Sequence, residues 1–444
     1  MSIASEITRL QNAKSALKTS INAKTDSSHQ IDDETLDEYS DFVDSIQTGG
    51  GGIVEPEEKD VNLYDYDGTR LYSYTKEDFL ALNSLPENPT HTGLTAKGWN
   101  WSLSDAKTYV TNNNELDIGQ MYITDDGTTR IYISLQEGRL SPYLGFGISG
   151  TATIDWGDNS TSTVTGTSIY TTISTQHNYV SSGEYVISIS SESKIYFKGS
   201  SSYGSFVLWS NSSTSTAPNR IYQNAIYKVE LNKVELSNYA FDSCNNLQEV
   251  ILSNNISNRI YGYAFRNMYG LKALIIPNNV TRIDNYCFSN TVSLKKICLP
   301  KNLATLDLQS FEKNYSLQKI ILPTSITNVY DYMFWYCYNL RKIILHDNIT
   351  SLGSYAFGWC ATVAIFKLPS KLNSISSNAF SSCFGVAYFD FTKSISVPSL
   401  SNSNAFPSTS YDIVVPDSLY DTWIAATNWS SLASKIIKES DFNA

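Results

Sequence analysis

The chain has 444 residues, and its 32 Lys and Arg against 43 Asp and Glu give a formal net charge of −11. An acidic chain without a basic stretch is a poor binder of nucleic acid, because neutralising phosphates requires clustered Lys and Arg. The 41% hydrophobic content excludes wholesale disorder, and no apolar run reaches the roughly 18 residues that a membrane-spanning helix needs. The first residues lack the basic and apolar regions of a secretory signal, so we expect no export by that route.

Residues that commonly mark catalysis or metal binding are sparse in this sequence. The four histidines are scattered, and the six cysteines form no closely spaced pair. Motifs of serine hydrolases, phosphate-binding loops and zinc proteases are missing. We therefore expect a protein that is not an enzyme and that has no cofactor and no metal site.

Residues 1–52 are predicted to form a helical head that ends in a polyglycine linker. Alternating steps of four and three residues define a coiled-coil seam, which consists of Ile3, Ile7, Leu10, Lys14, Leu17 and Ile21. So short a stripe needs a partner, and the head is interpreted as an attachment and oligomerisation element. Lys14 in the seam favours a fixed register, and we expect a homotrimer. The alternative is a small helical hairpin within one chain.

Residues 53–140 are predicted to form a small α+β module. A first hairpin should turn at Asp67–Gly68, because Asp-Gly is a preferred two-residue corner. A short helix from Lys76 to Leu82 should follow, with Thr75 as its N-cap. A second hairpin is predicted around Asp125–Gly127.

Residues 141–200 contain three motifs in a fixed order. These are Trp156-Gly157-Asp158, His177-Asn178-Tyr179 and Gly183-Glu184-Tyr185-Val186. They resemble the PKD domain, an immunoglobulin-like β-sandwich, although Asn159 stands where that family has a second glycine. The resemblance implies a spacer or adhesive module in which Trp156 lies in the core, Asp158 bonds turn amides and His177 has a structural role.

Residues 201–410 are dominated by an internal repeat. A marker phenylalanine recurs at a first step of 24 residues and then at steps of 23, in Phe241, Phe265, Phe288, Phe311, Phe334, Phe357 and Phe380. Each copy also supplies one short apolar strand, such as Leu274-Ile275-Ile276-Pro277, that cannot bury its own face. Stacked copies should form a parallel sheet and an internal phenylalanine stack, closed by a cap in residues 411–444.

The segments Tyr355–Cys360 and Leu317–Pro323 resemble the repeat unit of BspA-like leucine-rich repeats. That resemblance implies a leucine-rich-repeat solenoid, of a type that occurs in bacterial surface adhesins and phage tail proteins. Four cysteines share the slot three residues after the marker phenylalanine: Cys244, Cys337, Cys360 and Cys383. We interpret them as structural and expect all six cysteines to be free and unreactive. The whole chain is thus predicted to be multidomain and mainly β.

The head segments Ile7–Lys14 and Thr35–Tyr39 resemble a segment of phage tail and baseplate proteins. Surface-type modules without a secretion signal also favour a virion protein released by lysis. We therefore predict a non-catalytic, phage tail-associated protein of the tail-fibre or receptor-binding type, attached to other tail or baseplate proteins through its head. Its solenoid should recognise a glycan or protein of the host cell surface. The alternative is an extracellular bacterial adhesin that binds host protein or glycan. Neither hypothesis involves nucleic acid or membrane insertion.

Residues that break the repeat are candidates for recognition, since core slots must repeat. Aromatic residues concentrate one, two and four positions after the marker phenylalanine and four positions before it. The candidate ligand-binding residues are Trp335, Tyr336, Tyr338, Trp359, Tyr315, Tyr269, Tyr261 and Tyr330. Exposed Tyr and Trp rings suit stacking on sugars or contact with protein. The alternative is an aromatic ladder that packs on itself.

Overall fold

The computed structural model describes residues 58–202, 204–210 and 220–442. The predicted head, with its seam from Ile3 to Ile21, lies outside the described residues. The described part is mainly β with few helices. None of its helices has the length and hydropathy to cross a membrane.

The first part is a four-stranded sheet covered by two helices. Its elements are β1 (Val61–Tyr64), β2 (Arg70–Tyr74), α1 (Lys76–Ala81), β3 (Leu94–Trp99), α2 (Leu103–Asn113) and β4 (Leu116–Thr124), with the strand order β2-β1-β4-β3. The first predicted hairpin is confirmed, because β1 and β2 pair antiparallel. The predicted helix start is confirmed too: the side chain of Thr75 accepts a hydrogen bond from the amide of Asp78.

The next strands form a largely antiparallel sheet. They are β5 (Thr129–Leu135), β6 (Tyr143–Asp155), β7 (Thr161–Gln176), β8 (Gly183–Ser191) and β9 (Ile195–Phe197). The short strands β10 (Gly199–Ser200) and β11 (Gly204–Ser205) form a separate antiparallel pair, and β12 (Leu208–Trp209) joins the larger sheet beside β6. The second predicted hairpin is wrong. A turn does form, with the amide of Gly127 bonded to the carbonyl of Thr124, but β4 pairs with β1 and β3 while β5 pairs with β8. The turn therefore connects β4 of the four-stranded sheet to β5 of the next sheet.

The Trp156 region behaves locally as its motif implies. Trp156 is fully buried, and the His177 ring stacks on it with a centroid distance of 4.6 Å. Asp158 accepts from the amide of Ser160 at 3.1 Å and contacts Nε2 of His177 at 2.7 Å. Asn159 has a φ of +70°, a conformation that Asn tolerates. The assignment of the whole sandwich to the PKD type stays a prediction.

The remaining strands build a solenoid of LRR type with two ladders. The front ladder begins at β13 (Ile226–Leu231) and continues through β15 (Glu249–Leu252), β17 (Ala273–Ile275), β19 (Lys296–Cys298), β21 (Lys319–Ile321), β23 (Lys342–Ile344), β25 (Ile365–Lys367), β27 (Tyr388–Asp390), β29 (Asp412–Val415) and β30 (Ile436–Lys438). The side ladder consists of β14 (Val234–Leu236), β16 (Arg259–Ile260), β18 (Arg282–Ile283), β20 (Thr305–Leu306), β22 (Asn328–Val329), β24 (Ser351–Leu352), β26 (Ser374–Ile375) and β28 (Ser399–Leu400). Paired neighbours within each ladder are parallel.

The marker phenylalanines occupy a third side, here called the Phe corner, which runs in each copy from two residues before the marker to four residues after it. Their rings are fully buried, and successive centroids lie 5.5 to 5.9 Å apart with planes within 12° of parallel. The predicted internal stack is confirmed. At the far end Trp423 and Trp429 pack on Phe391, and α3 (Tyr420–Ala425) helps to close the core.

Side chains three residues after the marker hold the Phe corner together. The Cys337 thiol donates to the carbonyl of Phe311 at 3.2 Å, 26 residues earlier. Thr291 and Asn314 make the equivalent bonds at 2.9 Å. In these copies the side chain at this position donates a hydrogen bond to the marker carbonyl of the preceding copy, and the carbonyls of Phe288 and Phe311 also accept a backbone amide. In the copy of Phe265 the buried Met268 fills the same position without a donor. All six cysteines are free and buried, and burial raises the pKa of the Cys337 thiol.

The four-stranded sheet and its helices dock on the outer face of the front ladder. Nε1 of Trp101 donates to the carbonyl of Leu299 at 3.0 Å, and the Tyr109 hydroxyl donates to the carbonyl of Leu322 at 2.8 Å. Asp117 contacts the ammonium groups of two lysines on adjacent copies, Lys296 at 2.8 Å and Lys319 at 3.2 Å. Its side chain is only 5% exposed. The docked position is thus fixed against several consecutive repeats.

Candidate functional site

The Phe corner positions the candidate residues by repeating one backbone conformation. Residues two before and two after each marker have positive φ, including Tyr332, Tyr336, Tyr355 and Trp359. Such conformations are unusual for large side chains, but a ladder of bonds between copies maintains them. For example, the amide of Tyr336 donates to the carbonyl of Gly358 at 2.9 Å. Equal slots of neighbouring copies are therefore held side by side.

Five of the eight predicted residues come together in one group, here called the aromatic surface. These are Tyr315, Trp335, Tyr336, Tyr338 and Trp359. Trp335 and Tyr336 have centroids 4.2 Å apart, and Tyr336 stacks on Trp359 at 5.5 Å. Tyr338 lies 5.4 Å from Tyr315 and 6.1 Å from Trp359. The surface thus extends over three consecutive copies.

The other three predicted residues lie elsewhere. Tyr269 is separated from Tyr315 by a copy in which the same slot holds the buried Val292. Tyr261 follows a strand of the side ladder, where the Arg259 guanidinium lies 4.3 Å from its ring centroid. Tyr330 also follows the side ladder and is 42% exposed. Tyr261 and Tyr330 share a position four residues before the marker phenylalanine. That position faces the side ladder, so the two residues do not belong to the aromatic surface.

Three further aromatic residues belong to the surface and were not predicted. Tyr332 stacks on Tyr355 at 5.0 Å and meets Trp335 edge-on at 5.4 Å. Phe384 meets the Trp359 ring at 5.5 Å and is 44% exposed. A signal existed for them: tyrosine recurs two residues before the marker in five copies, and Phe384 occupies the fourth slot after it.

The rings of the aromatic surface are buried to different degrees. Tyr336 is only 7% exposed, so it belongs to the self-packed ladder that formed the alternative interpretation. Trp335, Tyr338 and Trp359 are half-buried. A Cβ on Gly358 would lie 2.9 Å from Cδ1 of Trp335, so glycine leaves the space that the indole uses.

Few charges lie beside these rings. The Lys313 ammonium is 5.9 Å from the Trp335 ring centroid and pairs with Glu312 at 3.6 Å. Burial, helped by the neighbouring Tyr355, raises the pKa of Tyr332, so its hydroxyl stays neutral at physiological pH. A mostly neutral set of ring faces and edges can stack on sugar rings or cover an apolar protein segment.

One group of side chains outside the aromatic surface has the residue types of a hydrolase triad. Ser160, His177 and Asp158 lie close together, but Nε2 of His177 faces both the carboxylate and the hydroxyl, at 2.7 and 3.4 Å. A hydrolase triad needs the two ring nitrogens to face opposite partners. Over the described ranges no three His, Cys, Asp or Glu side chains converge as a metal site would require.

Several solved structures that are similar to this chain are described as leucine-rich repeat proteins. A Bacteroides ovatus leucine-rich repeat protein is 19% identical over 48% of this chain and 54% of its own, with a TM-score of 0.40. One from Eubacterium ventriosum is 22% identical over 34% and 40%, with a TM-score of 0.29. A leucine rich cell surface protein of Faecalibacterium prausnitzii is 19% identical over 41% and 64%, with a TM-score of 0.28. The chain thus covers less than two thirds of each.

A comparison with curated proteins finds no match. The family model for the BspA type leucine rich repeat region matches six copies, over residues 166–295, 234–363 and 281–411. These matches cover more than half of the sequence, from within β7 to residue 411, and include the whole Phe corner. The chain belongs to the BspA-type leucine-rich-repeat family.

Proposed function

We propose that this protein is a non-catalytic recognition protein, carried on a phage tail, that binds the surface of the host cell through the aromatic surface of its solenoid. The observation on which the proposal rests is the contiguous group of half-buried rings on consecutive copies. Solenoids commonly present such extended surfaces to ligands. The resemblance of Ile7–Lys14 and Thr35–Tyr39 to a segment of phage tail and baseplate proteins supports the virion assignment.

A glycan or protein of the host cell surface is the proposed ligand. Trp335, Trp359 and Phe384 offer apolar rings, while Tyr338 adds a hydroxyl. Aromatic rings of this kind supply large contact area at a low cost in side-chain entropy. The solenoid would thus display the rings and keep their spacing.

The binding test replaces Trp335, Tyr336 and Trp359 together by Ala in the full chain. We expect host-cell binding to be lost while the melting temperature changes little. The matched control replaces Tyr239, Tyr263 and Tyr286 together by Ala. These three rings form a half-buried stack on the same Phe corner, with successive centroids 4.6 and 4.8 Å apart. Unaltered binding by the first variant would refute the proposal, as would equal loss in the control.

Because Tyr336 is almost fully buried, the triple variant carries a risk for folding. Phe384→Asp is the complementary test, since this ring is 44% exposed and its replacement leaves the core intact. We expect it to weaken binding without lowering the melting temperature. A large fall in melting temperature in the triple variant, with normal binding by Phe384→Asp, would favour a purely structural aromatic ladder.

Location and chemistry need separate experiments. Labelled antibody against the solenoid should decorate tails in negative-stain images of virions, whereas labelling of bacterial cells alone would favour the adhesin alternative. Incubation with host polysaccharide should release no new reducing ends. Release of reducing ends would overturn the non-catalytic assignment.

A further inference from the structure

Strand β7 is long, uncharged and paired on one side. It spans 16 residues, Thr161–Gln176, with no Asp, Glu, Lys or Arg among them. Within the described ranges it pairs with β6 alone, so its other edge presents backbone groups that no described strand satisfies. Tyr170, at the point where the register shifts, is 80% exposed.

Such an edge departs from the usual pattern of stable sheets. Natural proteins protect edge strands with charges, prolines, bulges or short lengths, because an open edge pairs with other chains. The first half of β7 has none of these over residues 161–168, where the pairing to β6 is continuous. This chain has 75 charged side chains in total, which makes a neutral strand of this length a marked exception.

The sequence of this half is self-complementary. Thr161, Thr163, Thr165 and Thr167 form its exposed side, and Ser162, Val164, Gly166 and Ser168 form its half-buried side. If two copies meet antiparallel about Val164, Thr163 lies opposite Thr165 of the second copy and Thr161 opposite its Thr167. Each side then continues without interruption across the two sheets, and directly opposed threonines are favourable cross-strand pairs.

We propose that β7 is a self-association edge, whose occupant is β7 of a second copy of this chain. The net charge of −11 opposes contact between most surfaces of two copies, whereas this edge brings no charge to the contact. Eight-residue pairing buries less than a typical stable interface of about 1,200–2,000 Å². The association is therefore weak and depends on concentration, and it adds to whatever oligomer the head forms.

Two double variants of the full chain test this pairing. Thr163→Lys with Thr165→Lys places like charges opposite each other twice across the two-fold axis. Thr163→Lys with Thr165→Glu places opposite charges there instead, with the same number of substituted side chains. Both threonines are exposed, so both variants should keep the melting temperature of the parent.

Sedimentation velocity over a range of concentrations supplies the readout. We expect the parent and the Lys/Glu variant to gain mass as concentration rises, and the Lys/Lys variant to need at least about tenfold more protein for the same gain. Hydrogen exchange of the amides in residues 161–168 should slow as the concentration rises in the parent and in the Lys/Glu variant. In the Lys/Lys variant it should change little over the same range. Identical mass curves for all three proteins, or exchange that is independent of concentration, would overturn the proposal.

Discussion

Two faces of the solenoid break the repeat in comparable ways, and one of them is covered by other described elements. On the front ladder the outward positions hold Ile251, Ile275 and Ile321, which pack against the four-stranded sheet and its helices. Beyond that contact the same position holds the exposed Lys367. The Phe corner likewise departs from its pattern over three copies, but there the departure consists of aromatic rings without an apolar cover from the described chain.

The covered face shows what a departure from the repeat means in this molecule. Where another element docks, the outward positions of the front ladder hold buried apolar or charged residues. Beyond the docked element, the same position holds a residue that is exposed to solvent. By the same logic, the proposed function predicts that the rings around Trp335 and Trp359 are a docking surface. The following experiments test this comparison, from the largest expected effect to the smallest.

Removing the central charge of the covered face should have the largest effect. Asp117→Ala leaves the buried Lys296 ammonium without its carboxylate, whereas Lys319 keeps its contacts with Glu58 at 2.8 Å and Glu115 at 3.4 Å. Breaking a buried pair in this way costs about 3–5 kcal/mol. Urea titration would measure the free energy of unfolding.

Lys301→Ala is the matched control at the rim of the same interface. Its partner Asp105 and the lysine itself are both partly exposed, and such pairs contribute about 0–1 kcal/mol. Equal and small losses for Asp117→Ala and Lys301→Ala would show that the docked position does not depend on the buried charges.

Acid should weaken the covered face by a smaller amount. Burial alone would raise the pKa of Asp117, but Lys296 and Lys319 prevail and hold it below its ordinary value. A carboxyl with a depressed pKa stabilises the fold above its unfolded pKa of about 3.9, and that contribution is lost as the pH falls through the folded pKa. The free energy of unfolding should therefore fall more steeply below about pH 4 in the parent than in Asp117→Ala. Parallel curves would contradict this.

On the aromatic surface, Gly358→Ala should act through one neighbour. The new Cβ would lie 2.9 Å from Cδ1 of Trp335, and such overpacking costs about 1–3 kcal/mol. In a Trp335→Ser background the same substitution should cost much less, because the indole is gone. The double-mutant cycle, measured by denaturant unfolding, isolates this coupling. Additive losses would show that Trp335 does not depend on Gly358 for its position.

Much of the solenoid could be predicted because the same pattern of core residues recurs in seven copies. The phenylalanine stack and the parallel strands follow from a fixed period, and the first hairpin and Thr75 cap follow from local chemistry. The prediction of the second hairpin was wrong. Local chemistry does form a turn at Asp125–Gly127, but the pairing of β5 with β8 is set by tertiary contacts. Likewise, the docking of Asp117 between two lysines joins residues about 180 and 200 positions apart.

The candidate site was predicted in part for a similar reason. Equal slots place Trp335, Tyr336 and Trp359 side by side, so their contact could be inferred from spacing alone. The direction in which each of these side chains points could not be inferred. It depends on the two residues with positive φ that flank each marker phenylalanine, and the sequence does not reveal that conformation. Tyr261 and Tyr330 were therefore assigned to a surface that they do not share, and Tyr332 was overlooked.

The smallest expected effect concerns the slot beneath the aromatic surface, where Cys360 donates its thiol hydrogen to the carbonyl of Phe334 at 3.3 Å. Cys360→Thr should be tolerated, since Thr291 makes the equivalent bond in another copy. Cys360→Val has nearly the same shape as Thr but no donor, so the buried Phe334 carbonyl would keep only the hydrogen bond from the amide of Cys337 at 3.1 Å. We expect Val to be less stable than Thr by about 1 kcal/mol in denaturant unfolding. Equal stability of the two variants, or a more stable Val variant, would mean that this slot selects for volume and not for a hydrogen bond.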